Sequence, residues 1–348
     1  MTISTLEFNR SWITDQKDHL VNTQKIQFYD LHTTRNEFES DILKGLAQRP
    51  AAIPPKYFYD SKGSELFDAI TELPEYYPTR TEIGILTANA ADIAKRIGTG
   101  SLLVEPGGGS CAKVHILLEG LKPQAYVPMD ISKDHLRLAA EDLAIAFPWL
   151  EIHAACTDYS REMRLPPNAP KGTHVAFFPG SSIGNFNPED AVVFLTSIAE
   201  LVGSEGYLLI GVDLKKDKSI LEAAYDDAQG VTAEFNLNLL TRINRELKGD
   251  FDLTAWQHKA LYDEQRGRIE MHLISSAEQT VTLNRGSLNR ASFCFRQGES
   301  IHTENSYKYS TEEFISLAAQ AGFESDALWC DDEQLFSVHL FRQCLSET

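Results

Sequence analysis

Between residues 101 and 213 short apolar runs alternate with segments of helical spacing, and this alternation limits the possible folds more than any other feature of the chain. SLLVEP, QAYVPMD, LEIHAAC, HVAFFPG and GYLLIGVDL read as strands, while CAKVHILLEGL, SKDHLRLAAEDLAIAF and a segment opening at Pro188 read as helices. A tight hairpin cannot join strands separated by helices or long connections, so the five pair in parallel as an α/β doubly wound sheet. The rhythm lapses and then returns as STEEFISLAAQAGF, SDALWC and LFSVHLFR, a helix and two strands joined by a short acidic turn. That hairpin is expected to close the sheet and to make one edge strand antiparallel.

Residues 1–80 and 216–308 lack the rhythm. The insert carries helical DKSILEAAYDDAQGVTAEFNLNLLTRINREL and then strand-like RIEMHLISS and QTVTLN. Both segments are expected to form a second, mixed α+β substrate-binding domain over the open ends of the strands, the first domain being 81–215 with 309–348. At 348 residues the chain can bury a sizeable core in either one large domain or two.

Composition excludes several classes of partner. A formal charge of −18, with no basic stripe beyond DLKKDKS, would repel a phosphate backbone, so nucleic acid is not expected as a partner. No run of 18 apolar residues occurs, and MTISTLEFNRSWITDQKDHL lacks a signal-peptide pattern. A cytoplasmic protein with no membrane contact is expected. The five cysteines form no CxxC and no Cys/His cluster, which predicts reduced packing residues and no metal site.

Three features point to a nucleoside-bearing ligand. LLVEPGGGSCAKV sets Gly107, Gly108 and Gly109 between a strand and a helix, where glycine lets backbone approach a ligand closely. Asp130 ends the second strand about 20 residues later, where an acid commonly holds ribose hydroxyls. Asp158, after the third strand, can accept from an adenine amino group. Each acid taken alone could equally be a cap or a turn residue. Lys113, one turn into the first helix, either meets the ligand's carboxylate or is solvated. A nicotinamide enzyme would use similar architecture, but GxGxxG is missing, and GxxxxGK[ST] does not occur.

Further residues suggest a polar pocket. Asn185 lies in the small-residue loop after the fourth strand, where an amide can bind a substrate carboxylate. Asn187, followed by Pro188, Glu189 and Asp190, reads as a helix start. Tyr57, Phe58, Tyr59, Phe67, Tyr76 and Tyr77 crowd a short stretch; Phe58 and Tyr77 read as core. On a strand through IHTENSYKYS, Glu304 and Ser306 share one face and Asn305 takes the other.

The extra C-terminal hairpin resembles the seven-stranded Rossmann-like sheet of class I S-adenosylmethionine-dependent methyltransferases. Over residues 50–345, KYFYDSKGSELFDAITELPEYYPTRTE, FPGSSIGNF, GVDLKKD, RIEMHL and HTENSYKYS together resemble the EgtD-type histidine Nα-methyltransferases of ergothioneine biosynthesis. The resemblance implies trimethylation of the α-amine of L-histidine to hercynine with S-adenosylmethionine, in a monomer needing no metal. It assigns Glu304 and Ser306 to the imidazole, with Met271 beside it. Asn185 and Tyr225, together with Tyr76 and Gly180, would hold the rest of the amino acid. Phe67 and Tyr59 would surround the amine, with Tyr59 as a proton carrier. Glu105, Gly107, Gly109, Ser110, Lys113, Asp130 and Asp158 would bind the cofactor. The alternatives are an enzyme acting on another amino acid such as tryptophan, which would make poor use of Glu304, and a non-catalytic cofactor-binding subunit.

Overall fold

A computed structural model describes residues 26–31, 37–160, 163–284 and 290–344. Its strands are β1 Ile26–Asp30, β2 Ala51–Ala52, β3 Leu102–Pro106, β4 Ala125–Asp130, β5 Glu151–Cys156, β6 His174–Phe178, β7 Tyr207–Asp213, β8 Trp256–Asp263, β9 Arg268–Ser275, β10 Gln279–Asn284, β11 Arg290–Phe295, β12 Ser300–Tyr307, β13 Phe323–Cys330 and β14 Phe336–Gln343. The main sheet runs β1-β5-β4-β3-β6-β7-β14-β13. Its central strands are continuous apolar runs because helices cover both faces; all five residues of β3 are buried.

Two expectations are corrected. The sheet has eight strands, because β1 pairs in parallel with β5, Ile26 opposite Ile152. This piece of the N-terminal segment therefore joins the cofactor-side sheet. The antiparallel strand is β14, which inserts between β7 and β13, while β13 forms the edge. Burial explains the order: the apolar β14 is buried along most of its length, and the more polar β13 exposes most of its residues.

A second sheet runs β2-β12-β9-β8, and β10 with β11 forms a separate hairpin. Its core is continuous with the helices Ser61–Thr71 and Val231–Leu247 through Ile70, Phe235 and Leu239. The β12–β9 register shifts between His302 and Glu304, so a bulge falls at Thr303, whose hydroxyl donates to the Met271 carbonyl at 3.1 Å. A bulge reverses which face follows. His302 therefore stacks on His272 on one face, whereas Glu304 and Ser306 join Met271 on the other. Among the described residues no helix is long and apolar enough to cross a membrane.

Candidate active site

The glycine loop after β3 is shaped by what a side chain would strike. Gly107 has φ +77°, and a Cβ there would meet the Tyr159 hydroxyl at 3.1 Å. A Cβ on Gly109 would lie 2.8 Å from Asp130 Oδ2. The loop can thus rest against the Asp130 carboxylate, which accepts the Ser132 N–H at 2.7 Å. Burial raises the Asp130 pKa, with the Ser132 N–H opposing. Glu105 is buried and accepts the Tyr126 hydroxyl; burial pushes it up to about 7 against that bond and the Lys113 charge. Ser110 is exposed on the loop.

The first helix begins later than its spacing implied, at His115, and Lys113 sits in the turn before it. Cys111 adopts left-handed backbone with its thiol on the Gly108 carbonyl, which keeps this stretch out of the helix. Lys113 pairs with Glu82, a wholly buried residue of the helix Tyr77–Ile97. Glu82 also accepts the Gly180 N–H, at 3.0 and 2.9 Å. It therefore ties the loop after β3 to the loop after β6. Asp158 is bonded to Lys56 Nζ at 2.7 Å and to Ser160; burial would raise its pKa, but Lys56 and Ser160 hold it below the ordinary value.

All nine residues expected around the substrate line one cavity of about 50 Å³: Tyr59, Phe67, Tyr76, Gly180, Asn185, Tyr225, Met271, Glu304 and Ser306. Tyr59 is fixed locally. It links the 3-10 turn Pro55–Phe58 to the helix Ser61–Thr71, which Asp60 caps by accepting the Gly63 N–H at 2.8 Å. Asn238 and Arg245 hold the same carboxylate. The Tyr59 carbonyl accepts the Ser132 hydroxyl at 2.8 Å, joining the aromatic wall to the Asp130 loop. Tyr59, Phe67 and Phe235 meet with ring centroids 5.7 to 6.0 Å apart, and Phe67 meets Tyr76 at 6.3 Å. Burial, and then the Glu304 charge, raises the Tyr59 phenol well above its ordinary value. Burial pushes Glu304 up to about 7, with Lys308 opposing.

A larger cleft of about 360 Å³ lies beyond Glu304 and Asn185 and shares those residues with the cavity. Its lining comes mainly from residues 41–55 and 302–305, away from the aromatic rings and the glycine loop. Size alone would mislead here, since the chemistry-bearing side chains converge on the smaller space. On the outer face, Glu270, His272 and His302 lie within 4.8 Å of one another. The Glu270 carboxylate is held by Arg268 at 2.8 Å and His272 at 3.0 Å.

The sequence reading missed several residues. Phe235 completes the aromatic wall, and Lys56 and Glu82 brace the cofactor side. Behind the substrate wall, Asp213 at the end of β7 pairs with Lys216 at 2.6 Å and Lys308 at 2.7 Å and accepts the Tyr77 hydroxyl at 2.7 Å. Burial would raise Asp213, but the two lysines hold it below its ordinary value. Lys308 was visible in principle, since Glu304, Ser306 and Lys308 alternate with period two. Tyr77 is core, as expected, but its hydroxyl belongs to this network. Asn187 stands at the helix start without capping it, instead bonding Asp190 and Tyr307.

The family of histidine-specific, S-adenosylmethionine-dependent methyltransferases matches residues 38–343. The histidine N-alpha-methyltransferase of Mycolicibacterium smegmatis is 39% identical, covering 86% of this chain and 93% of that protein. Ergothioneine biosynthesis protein 1 of Neurospora crassa is 33% identical over 84% of this chain and 33% of that protein. A 4-dimethylallyltryptophan N-methyltransferase of Epichloe festucae var. lolii is 27% identical over 84% of this chain and 90% of that protein.

Proposed function

The chain belongs to the S-adenosylmethionine-dependent histidine-specific methyltransferases, and from that membership we propose that it trimethylates the α-amine of L-histidine to hercynine, the first step of ergothioneine biosynthesis. One observation carries the reading. Glu304, Ser306 and Met271 from the second sheet meet Asn185 and Tyr225 in a single cavity walled by aromatic rings. In this reading Glu304 and Ser306 take the imidazole beside Met271. Asn185 and Tyr225 take the carboxylate, with Tyr76 and the Gly180 loop alongside. Tyr59 and Phe67 surround the amine.

The cofactor side fits S-adenosylmethionine. Gly107 and Gly109 let the loop pack closely against Tyr159 and against Asp130, the acid expected to take the ribose hydroxyls. Asp158, steadied by Lys56, takes the adenine amino group. Glu105 and Ser110 flank the loop, and Lys113 brings a positive charge to the Gly180 side. S-adenosylmethionine supplies an electrophilic methyl group on its sulfonium. The chain's task is to hold a neutral amine in line at near-contact distance, and positioning supplies most of such a rate enhancement.

Tyr59 cannot act as a phenolate base at neutral pH, because burial and the Glu304 charge keep its proton on. We therefore assign it to accept an amine N–H while the departing proton passes to water. As methyls accumulate the ammonium loses its N–H donors, and the rings of Tyr59, Phe67 and Phe235 offer π faces worth ~0.5 to 2 kcal/mol per contact. Residues 81–215 with 309–348 form the cofactor domain of this proposal, joined by β1, and the remaining segments through 308 form the substrate domain. From the family resemblance we also propose that the enzyme is a monomer.

Mass spectrometry of L-histidine incubated with the protein and S-adenosylmethionine, beside tryptophan and a Glu304→Ala variant, tests the reading. Histidine should gain three methyls and the variant should be strongly impaired. Methylation of tryptophan in preference to histidine would overturn the assignment of Glu304.

A further inference from the structure

Glu270 and His272 are two residues apart on β9, so their side chains leave the same face of the strand. His302 stands opposite His272 in the β12–β9 register, and the two imidazoles stack with ring centroids 4.9 Å apart. Beyond the bulge at Thr303, Asn305 stands opposite Glu270. Among the described residues, Glu270, His272 and His302 are the one group of three histidine, cysteine or carboxylate side chains whose ligand atoms all lie within 4.8 Å of one another.

The hydrogen bonds around this group leave a ligand atom on each residue. Glu270 Oε1 accepts from Arg268 at 2.8 Å and from Arg266 at 3.3 Å, so Oε2 is the oxygen turned to His272 Nε2, 3.0 Å away. Arg268 is anchored in turn on the Tyr307 hydroxyl at 2.6 Å. Ser300 Oγ lies 3.5 Å from His272 Nδ1, where it can take that nitrogen's proton and leave Nε2 its lone pair. His302 Nε2 lies 2.9 Å from the Glu304 carbonyl oxygen. A carbonyl only accepts, so Nε2 carries the proton and Nδ1 of the neutral ring carries the lone pair. Metal-ligating histidines donate their other N–H to an oxygen in this way, and ligating carboxylates are themselves hydrogen-bonded. Asn305 adds a buried side-chain oxygen that has no hydrogen-bond partner.

We propose that Glu270, His272 and His302 form a site for a zinc-class divalent ion, which fastens β9 to β12 across the bulge that turns Glu304 to the cavity. Without an ion the His272 Nε2 proton bonds Glu270 Oε2. Two atoms 3.0 Å apart can share an ion in its place at bond lengths of about 2.0 to 2.2 Å, and His302 has only to close to the tetrahedral ligand spacing of about 3.3 Å. Lys259 stands opposite His272 on β8, and Arg266 and Arg268 hold Glu270. Positive charge thus crowds the single carboxylate, which disfavours calcium and magnesium, ions held by several oxygens. Two imidazoles and one carboxylate suit zinc, with a fourth position beside Asn305. The site lies on the face of the sheet opposite Met271 and the aromatic cavity, so the ion touches no reacting atom. Its bearing on the cavity runs through backbone, since His302 Nε2–H holds the Glu304 carbonyl.

The test is calorimetric titration of the full, tag-free chain with Zn2+ at pH 7.5, and with Co2+ for its visible spectrum. One Zn2+ per chain should bind with a Kd of about 10 μM or tighter. Co2+ should give the visible bands of a four-coordinate nitrogen and oxygen site, without a thiolate charge-transfer band. His302→Ala and Glu270→Gln should each weaken Zn2+ by about tenfold or more and remove the rise in melting temperature that Zn2+ gives the parent. Should His302→Ala fail to fold, His272→Gln replaces it with the same expectation. A weaker Kd in the parent, an affinity unchanged in the variants, a thiolate band from any of the five cysteines, or Mg2+ bound as tightly as Zn2+ would each overturn the proposal.

Discussion

Gly184, in the turn after β6, packs against β12 beside the proposed substrate cavity, and replacing it with alanine tests how tightly that spacing sets activity. It lies in the turn Ser182–Asn185, between the Gly180 loop and Asn185. A Cβ there would sit 2.7 Å from the Tyr307 carbonyl oxygen and 3.1 Å from the Tyr307 nitrogen. Ordinary contact begins at 3.4 Å, so the turn and β12 must part by about 0.7 Å, and both neighbours are backbone that cannot swing aside. Asn185 would move with the turn, away from Ser306 and Glu304. A misplacement near 1 Å costs up to about 100-fold. We expect Gly184→Ala to lower kcat/KM for histidine by about 10- to 100-fold, or ~1.4 to 2.7 kcal/mol. Steady-state kinetics at saturating S-adenosylmethionine would read this, with calorimetric S-adenosylhomocysteine binding unchanged. A kcat/KM within twofold of the parent would refute the reasoning, as would a loss matched by equal loss of cofactor binding.

Other perturbations have definite expected outcomes. Gly211→Ala would place a Cβ 1.9 Å from Glu82 Oε1 and 2.9 Å from the Phe336 ring; overpacking of this kind costs about 1 to 3 kcal/mol, and an unshifted denaturation midpoint would contradict it. Lys56→Met removes the partly exposed partner of Asp158, so cofactor affinity should weaken by up to about fivefold, ~1 kcal/mol, with KM for histidine unmoved; a change in KM alone would misplace Asp158. Tyr59→Phe should lower turnover by less than about tenfold and keep the shape of the pH profile, since the phenol stays protonated; disappearance of a limb of the profile would restore Tyr59 as a proton carrier. Burial raises Glu105 and Glu304 from 4.5 to about 7. A carboxyl raised in the folded state contributes stability that is fully present below about 4.5 and lost as pH climbs through about 7, at most roughly 3 kcal/mol each. His115, His258, His302 and His339, held below their ordinary value by burial, act with the opposite sign up to about 6.5, so the contribution is read by difference: between pH 5.5 and pH 8 Glu105→Gln should lose less melting temperature than the ligand-free parent, and an equal change in both proteins would show that Glu105 is not the group responsible.

Much of the site was legible because alternation and loop chemistry are local. Glu304 and Ser306 share a face as strand geometry requires, and Gly109 lies against Asp130, which closes the next strand. Where the reading failed, the deciding contact lay far away in the chain. The partner of Lys113, Glu82, comes from a helix 31 residues earlier. Lys56 reaches Asp158 across 102 residues. Such pairs carry no spacing signal.

By itself the sequence determined the parallel sheet, the returning hairpin and the residue types of the pocket, because periodicity and turn residues act over a few positions. Tertiary structure alone decided that β1 adds an eighth strand, that β14 and not β13 lies inside, and that a bulge at Thr303 sends His302 outward while Glu304 faces the cavity. It also decided that Lys308 ends on Asp213, Tyr225 and Ser306. A buried ammonium must find three acceptors, and packing determines which ones stand within reach.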